Sequence, residues 1–217
     1  AALLERAYRL AYVLQNEGSI EIESRQFIAN ELVEVLDEAR RILGASARLS
    51  EGRGGIEVRP PVDLPEGAPR QQAGLEQAMR LNLESRLAQR VLWRVAESTY
   101  RHEDDLYRLG RLVDWAQWIT PRHTLRVDVA ARRSPLRSLQ FAGLRIKDAV
   151  CDHLRERTGE RPSVDTRHPD LGVQLFLDEA RALLYIDTSG EALFKRGWRD
   201  DTGEAPLKET LAAAMLA

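Results

Sequence analysis

Basic side chains are the one chemical resource that this sequence concentrates. Arg122 to His168 holds 11 Arg or Lys against 6 Asp or Glu, and the segments on either side of it are net acidic. With 32 basic and 34 acidic residues the whole chain carries a formal charge of −2. The asymmetry sets up a local positive face on a nearly neutral protein, the arrangement that attracts an anionic partner. A solvated surface with scattered charges is the competing reading. Other chemistries lack their residues. No G-x-G-x-x-G or G-x-x-x-x-G-K-[ST] loop is present to cradle a phosphate, and Arg53-Gly54-Gly55 reads as a turn into a strand. His102, His123, His153 and His168 stand apart. Cys151 and His153 are two apart on an expected helix, so they do not share a face as zinc ligands would. Cys151 adjoins the inward face of that helix and reads as a small core residue. Asp187 to Glu191 (DTSGE) has the letters of a phosphate turn, but a hairpin demands the same letters for backbone reasons, and the hairpin is the reading adopted.

The rest of the composition narrows the class. At 217 residues, with 43% hydrophobic and 30% charged residues, the chain resembles ordinary globular proteins of one large or two small domains. No apolar run approaches the roughly 20 residues that span a bilayer, so no membrane partner is expected. A single cysteine rules out an internal disulfide framework and fits a reducing, cytoplasmic setting.

The elements that must position the basic residues can be placed from periodicity. Residues 1–17 and 25–43 read as helices around a short strand at 19–23, and Ile56-Glu57-Val58 as a further strand. Pro60 to Gln72 holds four of the nine prolines and reads as a loop. Leu75 to Ala96 reads as a helix with Met79, Leu83, Leu87, Val91 and Val95 buried, and Asp104 to Trp118 as a shorter one whose Trp115 and Trp118 are core anchors rather than a base-stacking platform. Thr124 to Val129 alternates as a strand with Leu125, Val127 and Val129 inward. The next element is a helix, started at Ser134-Pro135 and stopped at Gly159, with Leu139, Ala142, Ile146, Ala149, Val150 and Leu154 facing a core. Residues 173–177, 182–186 and 192–195 read as an antiparallel meander of three strands, and residues 205–217 as a helix still running at the last residue, as in a fragment. The fold class is α+β, with helices on one face of a sheet.

Several stretches, in order, resemble one family. They are Asn82 to Leu92 (NLESRLAQRVL), Asp105-Leu106-Tyr107, Asp114-Trp115, Lys147 to Val150 (KDAV), Arg161 to Asp165 (RPSVD), Asp187 to Glu191, Arg196 to Arg199 (RGWR) and Ala205 to Ala212 (APLKETLA). Together they resemble the THUMP-domain ribosomal RNA methyltransferases, in particular the bacterial 23S rRNA guanine-N2 methyltransferases, from about Gly54 to Ala217. The resemblance implies a ferredoxin-like N-terminal part (1–54), a THUMP domain (55–188), and a closing hairpin strand and linker helix (189–217). That helix would be the first of a Rossmann-like methyltransferase domain absent from these residues. The leading helix and strand at 1–23 depart from the family's usual opening. The implied partner is ribosomal RNA. S-adenosylmethionine would belong to the absent domain, and neither a cofactor-binding nor a catalytic residue carries over, so the chain alone is expected to be inactive. Under this resemblance the candidate RNA contacts are Arg132, Arg133, Arg137, Lys147, Arg155, Arg161 and Arg167, with Lys195, Arg196 and Arg199 near the end. Lys147 beside Asp148, and Arg161 near the helix end, serve equally well as ties within the fold. A protein–protein interaction module, or a stand-alone RNA-binding adapter without catalysis, is the alternative class.

Overall fold

The structure is a computed structural model that describes residues 33–45, 47–52, 55–59, 70–193, 195, 209, 212 and 213. The expected helix at 1–17, the strand at 19–23 and most of the expected loop at 60–72 lie outside the described residues. The described residues belong to two compact units: residues 90–190, and those on either side of that span.

In the flanking unit, residues 33–43 form a helix (α1) with Ala39 and Ile42 buried. Strands β1 (Arg48–Gly52) and β2 (Gly55–Arg59) pair antiparallel. Helix α2 (Arg70–Glu84) takes in Arg70, Gln71 and Gln72, which the sequence places in a loop. Glu38 is buried, yet its carboxylate accepts hydrogen bonds from Ser85 Oγ (2.5 Å), Arg86 N (2.9 Å) and Leu87 N (3.2 Å). Three donors compensate a charge that would otherwise be costly away from water. They also stop the helix. The expected helix through Ala96 is therefore wrong beyond Glu84, and Met79 and Leu83 are exposed rather than buried.

In place of the rest of that helix the chain forms strand β3 (Leu92–Thr99). Its ladder with a later strand slips register between Arg94 and Ala96. A bulge of this kind breaks the alternation of period two, which hides the strand from a reading by periodicity. Helix α3 (Glu103–Arg111) and a 3-10 turn (Trp115–Gln117) come next, in place of one continuous helix to Trp118. Strand β4 (Thr124–Ala131), helix α4 (Leu139–Thr158), the two-residue β5 (Ser163–Val164), β6 (Leu171–Leu177) and β7 (Arg181–Asp187) complete the unit. Ser138, not Ser134, caps α4, its Oγ accepting from Phe141 N at 3.2 Å. Gly159 ends the helix at φ 82°, where a Cβ would be strained.

The five strands lie in the order β3-β7-β6-β4-β5, with β4 parallel to β5 and β6, and β7 antiparallel to both β6 and β3. The meander is thus two strands long. Residues 191–193 and 195 are not strand, and β3 occupies the place beside β7 that the expected third strand would take. Alternate residues of β6 (Leu171, Val173, Leu175 and Leu177) are buried under the helices with Leu125, Ala182, Leu184 and Ile186. From α4 come Ala142, Ile146, Val150, Cys151 and Leu154, so Cys151 is a core residue as expected. Leu139 departs from the expected stripe and is exposed. Trp115 is fully buried, its indole N–H donating to Gly110 O at 2.7 Å, and Trp118 packs partly buried against the same core.

Glycine lets the layers meet. A Cβ on Gly110 would stand 2.7 Å from Ala149 Cβ, and one on Gly143 would stand 3.0 Å from Val129 Cγ2. Because Ala149 Cβ is fixed to its backbone, Gly110→Val must push α3 from α4. We expect a loss of about 2–3 kcal/mol, measured as a lower midpoint in urea at unchanged slope.

Candidate nucleic-acid interface

The end of the sheet where β4 and β6 finish carries the first three candidate arginines. Arg132, Arg133 and Arg137 are exposed on the connection from β4 to α4. That connection is held in place. Arg132 N donates to Leu177 O at 2.8 Å, and Tyr100, buried at the end of β3, donates its hydroxyl to Asp178 O at 2.5 Å and lies 2.8 Å from Ser134 Oγ. Ser134 Oγ also accepts from Leu136 N at 3.2 Å. Arg133 sits at φ 58°, the left-handed region in which the chain turns out of β4. Its guanidinium is 3.4 Å from Glu179 across two well-exposed side chains, a contact of little energetic weight. The side chains of Arg132 and Arg137 make no ion pair or hydrogen bond among the described residues.

The other candidates lie elsewhere. Lys147 is half-buried on α4 and pairs with Asp148 at 2.9 Å. Arg155 and Arg161 converge on Asp152, at 3.1 and 3.7 Å. These are ties within the fold, the second role that the sequence allows for Lys147 and Arg161. Helix α4 has 20 residues, which is roughly 30 Å of rise, so Arg155 and Arg161 are a helix length away from the Arg132–Arg137 connection. Arg167 is exposed on the loop after β5, at the opposite end of the sheet from Arg132. Asp165 orders that loop by accepting from Arg167 N (2.8 Å) and His168 N (3.0 Å). Lys195 is exposed in the flanking unit, and Arg196 and Arg199 lie outside the described residues.

Two features were not visible in the sequence. Residues 187–191 do not form a hairpin turn. The Asp187 carboxylate, 2% exposed, is paired with the Arg90 guanidinium, which also donates to Gly190 O at 2.9 Å, while Val91 N donates to Ser189 Oγ at 2.8 Å. The DTSGE stretch thus clamps the start of β3 to the end of β7. The second is an exposed apolar pair, Phe141 and Leu144, three residues apart in the first two turns of α4, shortly after Arg137. Phe141 lies one residue off the inward stripe, and that offset is the signal that could have found it.

The THUMP domain pattern matches residues 100–187, the core of the unit just described. Residues 100–187 are a THUMP domain. The chain is also similar to curated proteins. The chain is 46% identical over 145 residues to the Ribosomal RNA large subunit methyltransferase K/L of Syntrophotalea carbinolica, covering 67% of this chain and 20% of that protein. The proteins of the same name from Pseudomonas entomophila (46%, 68% of this chain) and Pseudomonas putida GB-1 (42%, 80% of this chain) are similar over comparable spans, covering 20% and 23% of those proteins. The chain therefore spans about a fifth of the length of the curated relatives it matches. Among solved structures, a predicted N6-adenine-specific DNA methylase from Listeria monocytogenes superposes with a TM-score of 0.68 at 24% identity, over 85% of this chain and 44% of that one. A possible methylase from Clostridium difficile gives 0.65 at 20% identity, over 86% and 45%. These two likenesses establish the shared fold.

Within the THUMP domain the start of β4 is pinned by a carboxylate. Asp170 accepts from Thr124 N at 2.7 Å and from Thr124 Oγ1 at 3.0 Å, and its own N–H donates back to Thr124 Oγ1 at 3.1 Å. The backbone donor at Thr124 holds the Asp170 carboxyl below its ordinary range, and the N–H groups of His168 and Arg167 do the same to Asp165. A carboxyl depressed in the folded state binds fewer protons there than in the unfolded chain. Both groups therefore stabilise the fold above the ordinary carboxylate value of about 4, and that contribution is lost as pH falls through the lower folded value. Thermal midpoints between about pH 6 and pH 2.5 should show an acid limb that Asp170→Asn makes shallower, with a lower midpoint at neutral pH.

Proposed function

We propose that this chain is the RNA-binding portion of an S-adenosylmethionine-dependent 23S rRNA guanine-N2 methyltransferase of the cytoplasm, and that it positions ribosomal RNA for a catalytic domain lying outside these 217 residues. The observation that carries the reading is the anchored arginine connection between β4 and α4 of the THUMP domain. Arg132 and Arg137 keep their guanidinium groups in water without an internal partner among the described residues, and Arg133 has only a weak one. A positive group held ready on a rigid connection suits phosphate oxygens, and arginine forks match their geometry. Duplex RNA is bound largely through phosphates and 2′-hydroxyls, so a surface of this kind supplies affinity and register. The names of the relatives support the ribosomal substrate. Residues 1–54 stand in this reading as a ferredoxin-like part ahead of the THUMP domain, and residues 205–217 as the first helix of the Rossmann-like domain that would bind S-adenosylmethionine. Positions 209, 212 and 213 are helical, as that assignment requires. Lys195, Arg196, Arg199 and Arg167 remain candidate phosphate contacts, and Lys147, Arg155 and Arg161 contribute mainly by ordering α4.

Binding of a structured 23S rRNA fragment to the full 217-residue chain tests this directly. With about three phosphate contacts, affinity should fall about thirtyfold between roughly 50 and 200 mM salt. Arg132→Glu, Arg133→Glu and Arg137→Glu together should lower affinity roughly tenfold or more and flatten the salt dependence. Added S-adenosylmethionine should yield no methyl transfer by this chain alone. RNA binding absent at low salt, or untouched by the triple reversal, would contradict the proposal.

A further inference from the structure

The geometry points to a contact of a second kind beside the arginines: Phe141 is a stacking platform for an unpaired RNA base, so this surface takes a single-stranded segment as well as duplex phosphates. The inference rests on the RNA-binding reading above and adds the class of RNA that the site prefers.

Phe141 is the one exposed aromatic side chain among the described residues, at 49% exposure. Its neighbours on α4 explain why it is not drawn inward. Ala142 and Gly143 turn to the sheet, where Gly143 lies against Val129, and Ile146 fills the core. Phe141 stands instead in the first turn of a capped helix, with its N–H donating to Ser138 Oγ. The ring is thus carried on a rigid backbone and not on a loop. Leu144, three residues on and also exposed, lies on the same side of the helix and extends the apolar area.

Charge selects the occupant. From Val129 to Lys147 the chain contains five Arg or Lys and neither Asp nor Glu. Of these five, Arg145 is paired with Asp104 at 2.6 Å and Lys147 with Asp148, which leaves Arg132, Arg133 and Arg137 to face solvent around the start of α4. An apolar protein partner would find a cationic rim here with nothing to neutralise it. A nucleotide offers a flat π-face for the phenyl ring and a phosphate for the arginines, the combination by which single strands are held without sequence preference. Leu112 and Val164, also exposed, follow arginines that are already paired: Arg108 with Asp105 and Arg111 with Glu156, and Arg155 and Arg161 with Asp152 and Arg157 with Asp114.

The test uses the full chain with a twelve-nucleotide single-stranded RNA containing 2-aminopurine, and with the same sequence paired into a duplex. Phe141→Leu keeps an apolar side chain but removes the π-face, and Phe141→Trp restores one. Both substitutions lie at an exposed position and should leave the thermal midpoint in place. The wild type should quench 2-aminopurine on binding. Phe141→Leu should lose the quenching and bind the single strand about tenfold more weakly, with duplex affinity unchanged within about twofold, and Phe141→Trp should recover both signals. Single-strand affinity and quenching unaltered in Phe141→Leu would overturn the inference while leaving RNA binding intact. Equal losses on single strand and duplex would overturn it as well. A wild type that binds neither RNA would remove the underlying reading together with this one.

Discussion

Two places where a glycine lets α4 approach its neighbours closely constrain the rest of the THUMP domain. At Gly143 the helix lies against Val129 of β4, and at Ala149 it lies against Gly110 of α3. The approach at Ala149 fixes how far α4 stands from α3, because a Cβ cannot rotate away, and the approach at Gly143 seats α4 on the Val129 side chain of the sheet. The core residues Ile146, Val150 and Leu154 then fall onto the buried faces of β4, β6 and β7. The connection from β4 to α4 has only the residues between Ala131 and Leu139 in which to reverse direction. It does so with Arg133 in the left-handed region and Ser134 tied to Tyr100. The arginines are exposed on a surface that the packing has already defined.

The division between structural and available charge arises from the same layering. Basic residues of α3 and α4 meet acidic ones of the same two helices. Arg111 pairs with Glu156 and Arg145 with Asp104, and the Arg145 guanidinium carbon lies 4.8 Å from the centre of the Tyr107 ring. Such pairs are worth little individually at the surface, but they consume positive charge that the sequence count includes. The group at the start of α4 survives, together with Arg122 and Arg167 at the far end of the sheet. The excess of basic residues in Arg122 to His168 therefore overstates the surface offered to an anion.

Where local pattern and tertiary context agreed, the sequence was readable. Thr124 to Val129 alternates strictly and is β4, and the spacing of Ala142, Ile146, Ala149, Val150 and Leu154 with Gly159 behind it gives α4 and its inward face. The failures have specific causes. Met79, Leu83, Leu87, Val91 and Val95 keep helical spacing across a helix end that only the distant Glu38 explains, through its bonds to Ser85, Arg86 and Leu87. The bulge between Arg94 and Ala96 then masks the alternation of β3. Residues 192–195 read as a third meander strand because a neighbouring strand is the commonest partner, whereas β7 pairs with β3, far earlier in the chain. Of the candidate contacts, the run Arg132, Arg133 and Arg137 could be placed together from sequence. That Lys147, Arg155 and Arg161 spend their charge on Asp148 and Asp152 could not, since it depends on which carboxylates the fold brings near.

If RNA meets the THUMP domain at the β4–α4 connection and the first turns of α4, the backbone there must be shielded when RNA is bound. Amide hydrogen exchange of the full chain, with and without a saturating 23S rRNA fragment, measures that shielding. Slowed exchange should concentrate in peptides covering residues 131–147, with β3 and the Asp187–Glu191 clamp unchanged. Protection confined to β3 or to residues 155–170, with 131–147 exchanging as in the free chain, would contradict an RNA site at the start of α4.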